Sequence, residues 1–96
     1  MSTTTTESTA RTITVAIDSD CRLGGESLIW GVAEGDDTDA ARADAREWIG
    51  EGGELSAAEV RRRAANLDVV TIQWAGKLPE GQDAKAIALA LAALAA

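Results

Sequence analysis

The chain is expected to fold as an α+β domain of two layers, a three-stranded antiparallel sheet with helices on one face, in the order β-β-α-α-β-α. Three observations predict this. Residues 12–17 and 68–74 alternate side chains with the period of a strand, whereas the segments after Asp37 and Asp83 carry apolar residues at helical spacing. Glycine, proline and short polar clusters separate these segments. A chain of 96 residues supports one modest core, and a few strands covered by a helical layer is the simplest way to build it.

Residues 1–10 are rich in Ser and Thr and lack the basic start and apolar run of a secretory signal, so they are expected to form a disordered lead-in. A single domain then occupies residues 11–96. The first strand, 12–17, places Ile13, Val15 and Ile17 on one side and Thr12, Thr14 and Ala16 on the other, the pattern of a half-buried strand. The polar stretch from Asp18 to Glu26 contains Gly24 and Gly25 and turns the chain into a second strand, 27–33, where Leu28, Trp30 and Val32 share a face. These two strands form an antiparallel hairpin.

Gly35 stops the second strand and the aspartates after it supply N-cap chemistry for a helix over 38–49, with Ala41, Ala45, Trp48 and Ile49 on its inner side. Gly50 is expected to close that helix in a left-handed conformation. Ser56 and Glu59 have capping-box spacing, and Leu55 and Val60 are placed as a hydrophobic staple for a short helix over 57–65, which crosses a sheet edge and is closed by Asn66, again left-handed. The third strand, 69–74, aims Val70, Ile72 and Trp74 together.

Pro79 breaks the chain, Asp83 caps, and residues 84–96 are almost entirely Ala and Leu, with Ile87, Leu91 and Leu94 at i, i+4 and i+7. This helix is only about 20 Å long, short of the roughly 30 Å hydrocarbon core of a membrane. Leu89 points nearly opposite Ile87, so one buried stripe cannot hide every large side chain. Either the helix is wholly internal, with Ile87, Leu91 and Leu94 on the sheet and Leu89 under the second helix, or its back meets another subunit; a homodimer through this helix, with Leu89 at the interface, is the expected solution.

The residue inventory argues against catalysis. The chain has no His, no Tyr, no Phe and one Cys, so it lacks most of the usual acid, base, nucleophile and metal-ligating groups. Asp18 and Asp20 start like a calcium loop, but Arg22 stands where a third oxygen ligand belongs, Leu23 at the turn glycine and Ile29 at the bidentate Glu. Zinc fails for want of ligands. Cys21 has no base to activate it and no partner for a disulfide, which fits a reducing cytoplasm. Trp30, Trp48 and Trp74 each lie on the apolar side of an element and read as core. No catalytic residue, metal or cofactor is therefore expected.

Charge is the remaining signal. The net charge is -7, and twelve of the sixteen acidic residues fall between Asp18 and Glu59 among only three basic ones. Asp36, Asp37 and Asp39 gather at the start of the first helix, and Asp44, Glu47 and Glu51 continue along one side of it. Such a surface repels phosphate backbones and anionic membranes, and its natural complement is a basic protein surface. Those six residues are the candidate partner-binding site. Arg61, Arg62 and Arg63 fan around their helix at about 100° intervals, which suits structural pairing near a helix C-terminus better than a phosphate fork.

Gly35 and Asp36, then Asp39, Ala41, Asp44, Ala45, Glu47 and Ile49, resemble the strand-to-helix segment of HicB-like antitoxins. The resemblance covers residues 35–49 and implies a helix packed on a small antiparallel sheet and an antitoxin-like interaction module. By size and charge alone, the chain is also similar to small acidic inhibitors carried by phages and mobile elements, of the anti-CRISPR and anti-restriction type. The expected function is a non-enzymatic acidic protein that occupies the basic nucleic-acid-binding surface of a host defence complex. The alternative is a module that binds its partner through apolar surface.

Overall fold

β1 (Arg11–Ile17) lies at the centre of the sheet, with β2 (Ile29–Glu34) antiparallel on one side and β3 (Asp68–Trp74) antiparallel on the other. Together with α1 (Thr38–Ile49), α2 (Ala57–Ala65) and α3 (Ala84–Ala95), the chain runs β-β-α-α-β-α, the expected α+β order. The computed structural model describes residues 10–21, 23 and 27–96. The expected lead-in, Ala10 apart, and the glycine turn at 24–25 lie outside the described residues.

The helices do not share one face. Ile13 and Val15 of β1 pack with Ile29, Ile72, Trp74 and Ala86, so this side of the sheet is covered by α3. Ala16, on the other side of the same strand, packs with Ala45 of α1, Ala64 of α2 and Leu67. Three layers replace the expected two. The cause is the alternation of side chains across a central strand: one side offers large Ile and Val, and the other offers Thr14 and Ala16, small enough to admit a helix closely. Ile13, Thr14, Val15, Ala16 and Ile17 are consequently all buried, where a half-buried strand was expected. Burying Thr14 leaves a hydroxyl to satisfy, and it donates to the Gly35 carbonyl at 2.7 Å.

The second strand starts two residues later than expected and contains a bulge. Ala16 pairs with Gly31 but Ile17 pairs with Ile29, so Trp30 is the extra residue. That extra residue breaks the alternation. Ile29 and Val32 go to the α3 side and Trp30 to the α1 side, so Leu28, Trp30 and Val32 do not share a face.

Local capping follows the sequence at helix starts and departs from it at helix ends. The Asp37 carboxylate accepts from the Ala40 N–H at 2.9 Å, and the Ser56 hydroxyl accepts from the Glu59 N–H at 3.1 Å. Gly50 and Asn66, by contrast, are right-handed, both with φ of -85°; each helix ends in a further near-helical residue, and the left-handed glycine after α1 is Gly53, at φ 74°. Ser56→Ala is expected to lower stability by about 1 kcal/mol, read as a shift in the urea midpoint; an unchanged midpoint would mean that this cap contributes nothing.

α2 packs against α1, and Arg42 of α1 ties the two by donating from Nη1 to the Ala64 carbonyl at 2.8 Å, near the C-terminus of α2. α3 meets the sheet through Ala86 and Ala90, which are fully buried, with Ala93 half-buried beside them. The stripe of Ile87, Leu91 and Leu94 is therefore turned to one flank, where Leu91 is 44% and Leu94 38% exposed. Alanines let the helix axis approach a sheet already filled by Ile13, Val15, Ile72 and Trp74. Among the described residues no helix is long and apolar enough to cross a membrane.

Candidate interaction site

α1 lies close to β2 because the residues between them are small. Ala41 and Ala45 are fully buried, and Gly31 sits beneath them. This contact fixes where the rest of α1 points. Asp36, Asp37, Asp39, Glu47 and Glu51 are exposed, with Asp37 also engaged as the N-cap and Glu51 in the turn beyond the helix. Asp44 differs from them. Its carboxylate accepts from the Val32 N–H at 3.0 Å and is only half-exposed, so it caps an otherwise open donor on the edge of β2. The charge pattern alone assigns all six acids to a partner; Asp36, Asp39, Glu47 and Glu51 are free to take that role, while Asp37, though exposed, caps α1 and Asp44 caps the β2 edge.

Beside Asp44 runs a groove of about 370 Å³, lined by Trp30 and Val32 of β2, Asp44 and Trp48 of α1, and Leu78 and Glu80 from the segment before α3. Trp48 is 51% exposed and Leu78 40%, so the groove has an apolar rim on both sides and carboxylates at Asp44 and Glu80. The loop is pinned in place: the Leu28 and Ile29 N–H groups donate to the Gly81 carbonyl at 3.2 and 2.9 Å. The groove is thus a built feature of the β2 edge. Reading Trp48 as core was wrong because the residue lies seven positions from Ala41, within about 20° of it around the helix, yet β2 is the last strand and no neighbour extends beneath the indole. Leu78 and Glu80 carried no periodic signal at all. Among the described residues the Trp30 Nε1 atom is buried without a hydrogen-bond partner, whereas Trp74 Nε1 donates to the Lys77 carbonyl at 2.6 Å.

No family model, no curated protein and no solved structure matches the chain. Function must be read from the chemistry of the site.

The remaining polar features are structural. Arg62 Nη2 lies 2.6 Å from one Glu59 oxygen and Arg63 Nε 2.8 Å from the other, and these two hydrogen bonds, from Arg62 first and Arg63 second, pull the Glu59 carboxyl down to about 2. Among the described residues Glu59 is bound by these two arginines, and the half of the capping box that is present is the Ser56 hydroxyl accepting from the Glu59 N–H. The arginine run therefore spends two of its three charges on its own helix, leaving Arg61 exposed. Asp18 is buried and accepts from the Leu23 N–H at 2.9 Å, holding the turn after β1, while the Ser19 hydroxyl donates to Asp68. Among the described residues no group of His, Cys, Asp and Glu could hold a metal ion.

Proposed function

We propose that the protein is a non-enzymatic acidic binding module that occupies the basic, nucleic-acid-binding surface of a partner complex, in the manner of anti-CRISPR inhibitors. The observation that carries this reading is the exposure of Asp36 and Asp37 before α1, of Asp39 and Glu47 on it and of Glu51 in the turn beyond it, together with a groove at the C-terminal half of the helix rimmed by an exposed tryptophan. Asp39 and Glu47 lie eight positions apart on α1, about 12 Å along its axis, with Asp36 and Asp37 before the helix and Glu51 beyond it, so the acids act as a spread negative field that attracts the Lys and Arg a nucleic acid would otherwise contact rather than as a row at phosphate spacing. Trp48 adds a flat, partly desolvated face on which a guanidinium can stack. In this reading the groove receives a basic partner segment, the acids steer it, and α3 is left for a different contact.

The test uses Glu47→Lys with Glu51→Lys, because neither carboxylate has a role in the fold, whereas reversing Asp44 would also uncap Val32. The partner is first isolated from a host lysate on the immobilised chain; its affinity for the double variant should then fall about tenfold or more and lose much of its salt dependence, while the thermal melt stays unchanged. Binding indifferent to both salt and the reversals would remove the electrostatic account. A second reading, an antitoxin-like module that binds through apolar surface, is favoured by the exposure of Trp48 and Leu78 on the groove rim. Two variants together separate the readings: binding that survives Glu47→Lys with Glu51→Lys and ignores salt, yet is lost in Trp48→Ala, selects the apolar reading.

A further inference from the structure

From Ala86 onward α3 is apolar all round but, among the described residues, covered on one side only. Its sheet side is Ala86, Ala90 and Ala93; its outer side is Ala88, Ala92 and Ala95, all exposed, bordered by Leu89 at 37% exposure and Leu91 at 44%. From Ala86 to Ala96 there is no charged residue, on a chain whose net charge is -7. A helix hydrophobic around its whole circumference is ordinarily buried on every side.

We propose that the outer face of α3 is the contact between two copies of this chain, packed as an antiparallel helix pair across a two-fold axis close to Ala92. The charge distribution names the occupant. A basic partner would gain nothing from a neutral face, and two copies repel one another wherever else they meet, so the uncharged helix is the surface on which like meets like at least cost. The shape agrees. Ala88, Ala92 and Ala95 at i, i+4 and i+7 form a shallow stripe that lets two helix axes come close, and the two-fold sets Ala88 of one copy opposite Ala95 of the other. Leu89 and Leu91, on opposite borders of the stripe, then close over the partner helix from both sides. α3 contributes no residue to the lining of the β2 groove, so self-association leaves that groove open.

Two helices of three turns bury less than the roughly 1,200–2,000 Å² of a stable interface, so the association is expected to be weak, on the order of 10–100 µM. Sedimentation equilibrium over about 5 to 500 µM should show monomer passing to dimer, and the dimer should strengthen as salt rises and screens the repulsion. That response is opposite in sign to the one expected for a basic partner, so failure of either proposal is recognised separately. Ala92→Glu and Ala92→Lys, at a position exposed in the single copy, should each weaken self-association by about tenfold or more, while an equimolar mixture of the two variants restores a dimer. A chain monomeric at every concentration and salt, a dimer that ignores both variants, or a mixture that stays monomeric would each overturn the proposal. Leu89→Glu should give a folded monomer, and unfolding instead would place Leu89 inside the domain and also count against it.

Discussion

Gly31→Ala is expected to cost about 3 kcal/mol, a large part of the stability of a domain this size, because overpacking against a backbone admits no local escape. A Cβ at this position would stand 2.2 Å from the Ala41 carbonyl oxygen, 2.8 Å from the Ala45 nitrogen and 3.0 Å from the Ala45 Cβ. Two of these three atoms are backbone, so rotating a side chain relieves nothing and α1 must move outward by about 1 Å or more to regain van der Waals separation. Such a shift opens space beneath Ala45 and lengthens the bond from the Val32 N–H to Asp44. Gly52, where an added methyl would meet nothing within 4 Å and φ is not positive, is the control: Gly52→Ala should be neutral or slightly stabilising. Urea denaturation of the two variants checks the contrast, and equal midpoints would show that α1 does not lie as close to β2 as described.

Trp74→Ala should be of similar or larger effect, on the order of 3–5 kcal/mol, since it removes the largest side chain from the α3 side of the core. The indole is 7% exposed, packs with Ile13, Ile72 and Ala86, and lies under the Lys85 ammonium, whose Nζ is 5.7 Å from the ring centroid. Its Nε1 donates to the Lys77 carbonyl at 2.6 Å, tethering the segment that crosses from β3 to the β2 edge. Trp74→Phe separates volume from hydrogen bond. The phenyl ring keeps much of the apolar contact, so the loss should fall toward the value of a hydrogen bond plus a small cavity, about 1–2 kcal/mol. Because that segment carries Leu78 and Glu80 to the groove, Trp74→Phe is also expected to loosen the groove rim, seen as faster amide exchange at Leu28 and Ile29, whose N–H groups bond to Gly81. Exchange rates equal to those of the unaltered chain would detach the tether from the groove.

The exposure of the candidate acidic residues was legible in the sequence for all but one of them. Asp36, Asp37, Asp39, Glu47 and Glu51 are exposed as the charge pattern implied, since nothing more than a helix with a solvent side is needed to expose them. Asp44 looked the same in sequence, because the donor it satisfies belongs to Val32, twelve residues away on another element. The groove escaped notice for a related reason. Trp48 shares a helix side with buried alanines, and only the end of the sheet at β2 leaves its indole without cover.

The periods and caps of the sequence settle the six elements, their order and the N-caps at Ser56 and Asp83, the last accepting from the Ala86 N–H at 3.2 Å, and they place the cap of α1 among the residues before it, where Asp37 takes the role. Each of these depends on interactions spanning a few residues: the 2.0 and 3.6 periods, and a side-chain oxygen reaching an N–H three positions on. Tertiary structure decided that β1 is central, that α3 lies across the sheet from α1 and α2, that Trp30 bulges, and that the alanines of α3 rather than its leucines meet the sheet. Those outcomes turn on how closely surfaces distant in sequence can approach, and a strand with Ile and Val on one side and Thr and Ala on the other can be covered on both once two helices compete for it.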